Sequence, residues 1–88
     1  METRRLLIAG AVQGVGFRIN ARRQALKLDL RGLARNLPDG RVEIIVSGNS
    51  ADIAKFLEWC RSGPRLAEVR NIEIEPMTYR DYQDFDTA

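Results

Sequence analysis

Nine residues, Gly10-Ala11-Val12-Gln13-Gly14-Val15-Gly16-Phe17-Arg18, constrain this chain more than any other stretch. They join an apolar run, Leu6 to Ala9, that alternates over two faces like a strand, to a segment, Ile19 to Leu30, with helical spacing. The chain must therefore pass from strand to helix through a loop with glycines at 10, 14 and 16. Glycine accepts positive φ and lets another group approach closely. A glycine-rich loop entering a helix points unpaired N–H groups at one spot, which suits an anion. Arg18 adds a planar cation able to grip two phosphate or carboxylate oxygens together. The stretch reads as an oxyanion cradle, with phosphate the leading occupant. It is not a Walker A loop, because no Gly-Lys-Ser/Thr follows, and it holds only Gly14-x-Gly16 of the dinucleotide fingerprint. On its residues alone it specifies an anion without naming one.

The remaining elements follow from spacing and turn chemistry. Ala21, Ala25 and Leu28 recur at helical intervals, with Ile19, Leu26 and Leu30 beside them, while Arg22, Arg23 and Lys27 fall outside that stripe and read as a solvated face. Gly32 breaks the helix, Leu33 to Leu37 is a short strand, and Pro38-Asp39-Gly40 is a turn. Val42, Ile44 and Val46 then share one face, with Glu43, Ile45 and Ser47 on the other, which completes a hairpin. Asn49 or Ser50 caps a second helix whose buried stripe is Ile53, Phe56, Leu57 and Cys60, with Trp59 on its flank. Phe56 and Trp59 read as core. Ser62-Gly63-Pro64 stops that helix, Val69 to Glu75 alternates as a strand ended by Pro76, and Tyr82 to Phe85 is a candidate final strand. Asp81, Asp84 and Asp86 lack the spacing of a cation loop and read as a solvated, mobile tail.

The order β-α-β-β-α-β is that of the ferredoxin-like split βαβ unit, an α+β sandwich. Right-handed crossovers place both helices on one face of a four-stranded antiparallel sheet, with a short fifth strand as an option. Eighty-eight residues allow one domain, 1–88, with one core. No apolar run is long enough for a membrane span and no signal-peptide pattern opens the chain, so no membrane partner is expected. A single cysteine, Cys60, cannot form an internal disulfide, which fits the cytoplasm.

The chain contains no histidine. That removes Ser-His-Asp and Cys-His catalysis, imidazole bases and His-ligated metals together. Carboxylates, arginines, amides and backbone remain, so any chemistry leans on electrostatics and positioning. Residues 1–41 carry nine Lys/Arg against three Asp/Glu, a surplus on the side of the glycine loop that favours an anionic ligand.

Val12-Gln13-Gly14-Val15-Gly16-Phe17-Arg18 resembles the signature of the acylphosphatase family. A second family motif is matched by Gly32-Leu33-Ala34-Arg35-Asn36, leading through Leu37-Pro38-Asp39 to Gly40-Arg41-Val42 and on to Gly48. The likeness spans essentially the whole chain and agrees with the strand order above. It implies metal-independent hydrolysis of acyl phosphates to a carboxylate and inorganic phosphate, with no cofactor. It also implies that Arg18 holds the phosphoryl group within the backbone N–H groups of Gln13, Gly14, Val15, Gly16, Phe17 and Arg18, and that Asn36 orients the attacking water. Inorganic phosphate is then both product and competing ligand, and a monomer is expected. Ala11, Asn20 and Leu33 depart from the family pattern, which bears on packing and loop stability.

Three other readings stand beside this one, the last a small-molecule regulatory domain that only binds anions. The first is a non-catalytic or carbamoyl-phosphate-handling anion-binding domain, like the acylphosphatase-like domain of hydrogenase-maturation proteins. The second is an RNA-recognition module, which needs stacking aromatics on the central strands. Leu6–Ala9 and Arg41–Ser47 contain none, so no nucleic-acid partner is expected.

Overall fold

Val42, Ile44 and Val46 alternate along one strand and are fully buried, as are Leu6 and Ile8 on its neighbour. One face of a sheet is thereby sealed under helices. The structure, a computed structural model, describes all 88 residues. Its elements are β1 (Glu2–Ala11), α1 (Phe17–Lys27), β2 (Arg31–Asn36), β3 (Val42–Gly48), α2 (Ser50–Ser62), β4 (Glu68–Met77) and β5 (Phe85–Thr87). The strands lie in the order β4-β1-β3-β2-β5. The ferredoxin-like α+β order is present, with β1–β4, β1–β3 and β2–β3 antiparallel as expected. The fifth strand pairs with β2 in parallel, so the sheet is mixed and five-stranded. Phe17, Ala21 and Ala25 of α1 and Ile53, Phe56 and Cys60 of α2 join the inward strand residues in a single core cluster. No helix is long and apolar enough to cross a membrane.

Several element ends differ from the sequence expectation, each for a physical reason. Helix α1 begins two residues early, at Phe17, and ends at Lys27 because Asp29 takes a left-handed φ of 57°. Aspartate is among the few residues that accept that region, so it turns the chain before Gly32, which lies inside β2. Pro76 does not end β4, which continues to Met77. This strand is a sheet edge, where one row of N–H groups has no ladder partner and a proline is tolerated.

The acidic segment at the C-terminal end is docked, contrary to the mobile-tail reading. Phe85 is fully buried with its ring 6.4 Å from that of Phe56, and the Gly32 N–H donates to Asp84 O at 2.9 Å. Arg22, read as merely solvated, donates from Nε to Phe85 O at 2.8 Å and so ties α1 to β5. Asn49 caps α2 as expected, accepting from the Ala51 N–H at 2.9 Å. Burial pushes the Cys60 thiol far up its scale, which leaves it a small, unreactive core residue.

The outer face of the sheet carries a row of charge rather than aromatics. Glu43 lies on the face opposite Val42, Ile44 and Val46, yet it is only 1% exposed. It accepts from Arg5 Nε at 2.6 Å and from Arg35 Nε at 2.5 Å, and Arg5 Nη1 reaches Glu75 at 2.9 Å. Burial favours the neutral acid, but the hydrogen bonds and charges of Arg5 and Arg35 outweigh it and hold the carboxyl below its usual range. A carboxyl with a lowered folded pKa stabilises the fold above its unfolded value, near 4.5, and that contribution disappears as pH falls through the folded pKa. Glu43→Gln is therefore expected to cost about 1.5–3 kcal/mol at neutral pH. It should also flatten the loss of stability below about pH 4.5, as read from denaturant midpoints across the acid range. An unchanged acid slope in the variant would show that Glu43 is not the group responsible.

Candidate active site

The glycine loop leaves β1 at Ala11 and reaches α1 at Phe17, anchored at both ends by the core. Val12 is 1% exposed and Phe17 2%, with the Phe17 ring 5.5 Å from Trp59. Val15 also packs on the core. Between these anchors Gly14 and Gly16 take φ of 74° and 78°. Nothing lies within 4 Å of where a Cβ on Gly14 would sit, so the loop is open there and its conformation alone asks for glycine. Gly10, by contrast, belongs to β1. It sits at a bulge against β4, where a Cβ would fall 2.1 Å from Glu68 O.

Gly16 is the N-cap of α1 and offers no side-chain acceptor, and no acidic residue stands in the first turn. The only backbone hydrogen bond outside regular elements that involves this loop is Asn20 N–H to Gly16 O, 3.2 Å. The positive end of the helix thus has no counter-charge of its own. Asn20 braces the loop: its Nδ2 donates to the same Gly16 carbonyl at 2.8 Å. Arg18 follows within the first turn. Its Nη1 donates to the main-chain oxygen of Ala88, which holds the guanidinium by one edge and leaves the rest of it without a partner in the chain.

Asn36 enters from a different direction. It is the last residue of β2, paired with Val42 at the neck of the β2–β3 turn, and it is exposed. The side-chain hydrogen bonds of that turn run from Gln13 to Leu37 and Arg41 and between Asp39 and Arg41. Asn36 takes part in none of them. It lines a cleft of about 360 Å³ together with Gly14, Gly16, Phe17 and Arg18. Two residues from distant motifs, Arg18 and Asn36, thus share one small concavity.

The side chains of Gln13 and Val15 turn away from the cleft, to the hairpin and to the core, which leaves these residues only their backbone to offer an anion. Three other residues do line it that the sequence reading did not place there. Ile19 supplies the exposed apolar side, with the buried Val12 behind it, and Thr87 of β5 closes one side. Ile19, grouped beside the buried stripe in the sequence reading, is instead 45% exposed, because two residues from Ala21 put it nearly opposite that stripe on a helical wheel. Thr87 had no signal in the sequence, because its place depends on the docking of β5.

No group of three His, Cys, Asp or Glu side chains is placed to hold a metal ion. The arrangement offers a fixed cation, a helix N-terminus and a neutral amide around a space large enough for a phosphoryl group and a small acyl chain.

The acylphosphatase family model matches residues 4–87. An acylphosphatase of Methylococcus capsulatus is 46% identical over 77 residues, spanning 88% of this chain and 84% of that protein. One of Archaeoglobus fulgidus is 43% identical over 83 residues, spanning 94% and 93%. The solved structure of an acylphosphatase from Coxiella burnetii superposes with a TM-score of 0.95 at 36% identity, over 99% of this chain and 92% of that one. T. kodakarensis HypF superposes with a TM-score of 0.86 at 33% identity, over the whole of this chain but only 12% of its own.

Proposed function

The chain belongs to the acylphosphatase family, and we propose that its glycine loop, Arg18 and Asn36 carry out the family's reaction, hydrolysis of the carboxyl–phosphate bond of an acyl phosphate to a carboxylate and inorganic phosphate. The observation that carries this assignment is the convergence of Arg18 and Asn36 on one cleft at the N-terminus of α1. The phosphoryl oxygens sit against the N–H groups of residues 13–18 and the free edge of the Arg18 guanidinium. Both become more strongly bound as charge spreads over the phosphoryl group in the transition state. The Asn36 amide oxygen accepts a hydrogen from the attacking water and holds it in line with the departing carboxylate. That carboxylate is a good leaving group and needs no general acid, which suits a chain without histidine. The phosphoryl oxygens take the proton of the water, so no separate base is required. The exposed side chain of Ile19 gives the acyl group an apolar neighbour.

No step in this scheme requires a metal. Purified protein is expected to release phosphate from benzoyl or acetyl phosphate at the same rate with and without EDTA. Activity that disappears with the chelator and returns with Mg²⁺ would overturn the scheme. The same reading has the protein working as a monomer in the cytoplasm, with residues 1–88 as one domain. The single core supports one domain, and the one buried cysteine suits a reducing compartment.

A further inference from the structure

The cleft needs two independent pieces of chain to keep a fixed spacing, and the sheet does not provide it. The β1–β3 ladder ends at Ile8↔Val42, and beyond that point β1 pairs only with β4. The loop of residues 12–16 and the turn of residues 37–41 therefore stand side by side with no backbone hydrogen bond between them. One side chain joins them. Gln13 Nε2 donates to Leu37 O at 2.8 Å and to Arg41 O at 3.0 Å. These two carbonyls already close the turn: Arg41 O accepts from the Leu37 N–H at 2.8 Å, and Leu37 O accepts from the Gly40 N–H at 3.1 Å. Gln13 thus uses both of its amide protons to grip the neck of the hairpin, directly after Asn36.

We propose that Gln13 is a positioning residue that sets the distance of Asn36 from the phosphate loop. Its side chain acts on the attacking water through Asn36 and does not act on the phosphate. The amide is turned away from the cleft and has spent both donors, whereas a phosphate ligand would need them free. Residue type matters for the same reason. A glutamate of the same shape would set a carboxylate against two carbonyl oxygens, and asparagine would be one methylene short of spanning the gap. The inference rests on the water-holding role proposed for Asn36.

The test is a double-mutant cycle on the whole protein, with Gln13→Met as the apolar replacement and Asn36→Ala as its partner. Turnover is referred to the folded fraction, read from the near-ultraviolet signal of Trp59, so that instability alone cannot mimic the effect. Gln13→Met is expected to lower kcat about ten- to a hundredfold, the range for a misplacement on the order of 1 Å. Its competitive inhibition by inorganic phosphate should stay within about twofold of wild type, as for a change confined to the water. In the Asn36→Ala background the same substitution should have almost no further effect on kcat. Gln13→Asn serves as the second variant and should behave likewise, since it keeps the amide but cannot reach.

A Gln13→Met protein with full turnover would overturn the proposal. So would weakened phosphate binding, which would put the side chain's effect on the loop, or an undiminished loss in the Asn36→Ala background. A fully active Asn36→Ala would remove the water-holding role and this proposal with it, whereas a slow Asn36→Ala beside a normal Gln13→Met removes this proposal alone.

Discussion

Arg18→Ala is expected to remove turnover and phosphate binding together. In the proposed mechanism the guanidinium meets the phosphoryl group in the ground state as well as in the transition state, so its loss should appear in both affinity and kcat. An arginine directed at a transferring phosphoryl group is worth on the order of 10³–10⁵ in rate. Arg18→Lys should recover little, because a compact ammonium cannot reproduce the planar, two-pronged contact. The structure supplies a competing role to test against: Arg18 also holds the Ala88 main-chain oxygen and could serve only to fasten β5. On that reading the alanine variant would melt earlier while its folded fraction kept full activity. Titration with inorganic phosphate, followed at the backbone amides of residues 13–18, separates the two. Wild type should shift there and Arg18→Ala should not. Shifts confined to the C-terminal half would place the anion elsewhere.

Asn36→Ala is expected to lower kcat about a hundred- to a thousandfold, equivalent to roughly 3–4 kcal/mol of barrier, while phosphate affinity stays near wild type. The asymmetry with Arg18 is the diagnostic feature, because the proposed contact of Asn36 is with the water and not with the phosphate. The rival role is a local cap at the end of β2. Asn36 is exposed and takes part in none of the side-chain hydrogen bonds of its turn, so its truncation should change stability by no more than about 0.5 kcal/mol. A variant that is less stable but fully active per folded molecule would favour the cap. One that is stable and fully active would leave Asn36 without a function in the reaction.

The two variants also bear on how the active site is assembled. Arg18 comes from the first turn of α1 and Asn36 from the end of β2, and only the packing of the core-anchored loop beside the hairpin brings them to one cleft. Motif resemblance singles out both residues, but it has no bearing on the distance between them. If Gln13 sets that distance, its place within the same motif as Arg18 has a mechanical reason separate from phosphate binding.

Much of this protein could be read directly from its residues, because the signals are short-ranged. Alternation in Val42, Ile44 and Val46, helical spacing in Ile53, Phe56 and Cys60, the Asn49 cap and the Pro38-Asp39-Gly40 turn each depend on neighbours a few positions away. Those local choices determined the order of elements, and the order limited the fold to one architecture. The glycine loop pointed to an anion for the same reason, since φ at Gly14 and Gly16 and the open helix N-terminus, on which the proposed site rests, are local properties. Tertiary structure decided whatever depends on groups distant in sequence meeting in space. Glu43 alternates onto the face opposite Val42, Ile44 and Val46, yet it is buried because Arg5 from β1 and Arg35 from β2 flank it. Asp84 and Asp86 read as tail, yet the segment is docked because Phe85 finds Phe56 and β2 has an unpaired edge. Pro76 reads as a stop, yet β4 runs through it because no strand lies on its outer side. Charge compensation, aromatic burial and edge position are properties of the packed molecule, and no window of neighbouring residues contains them.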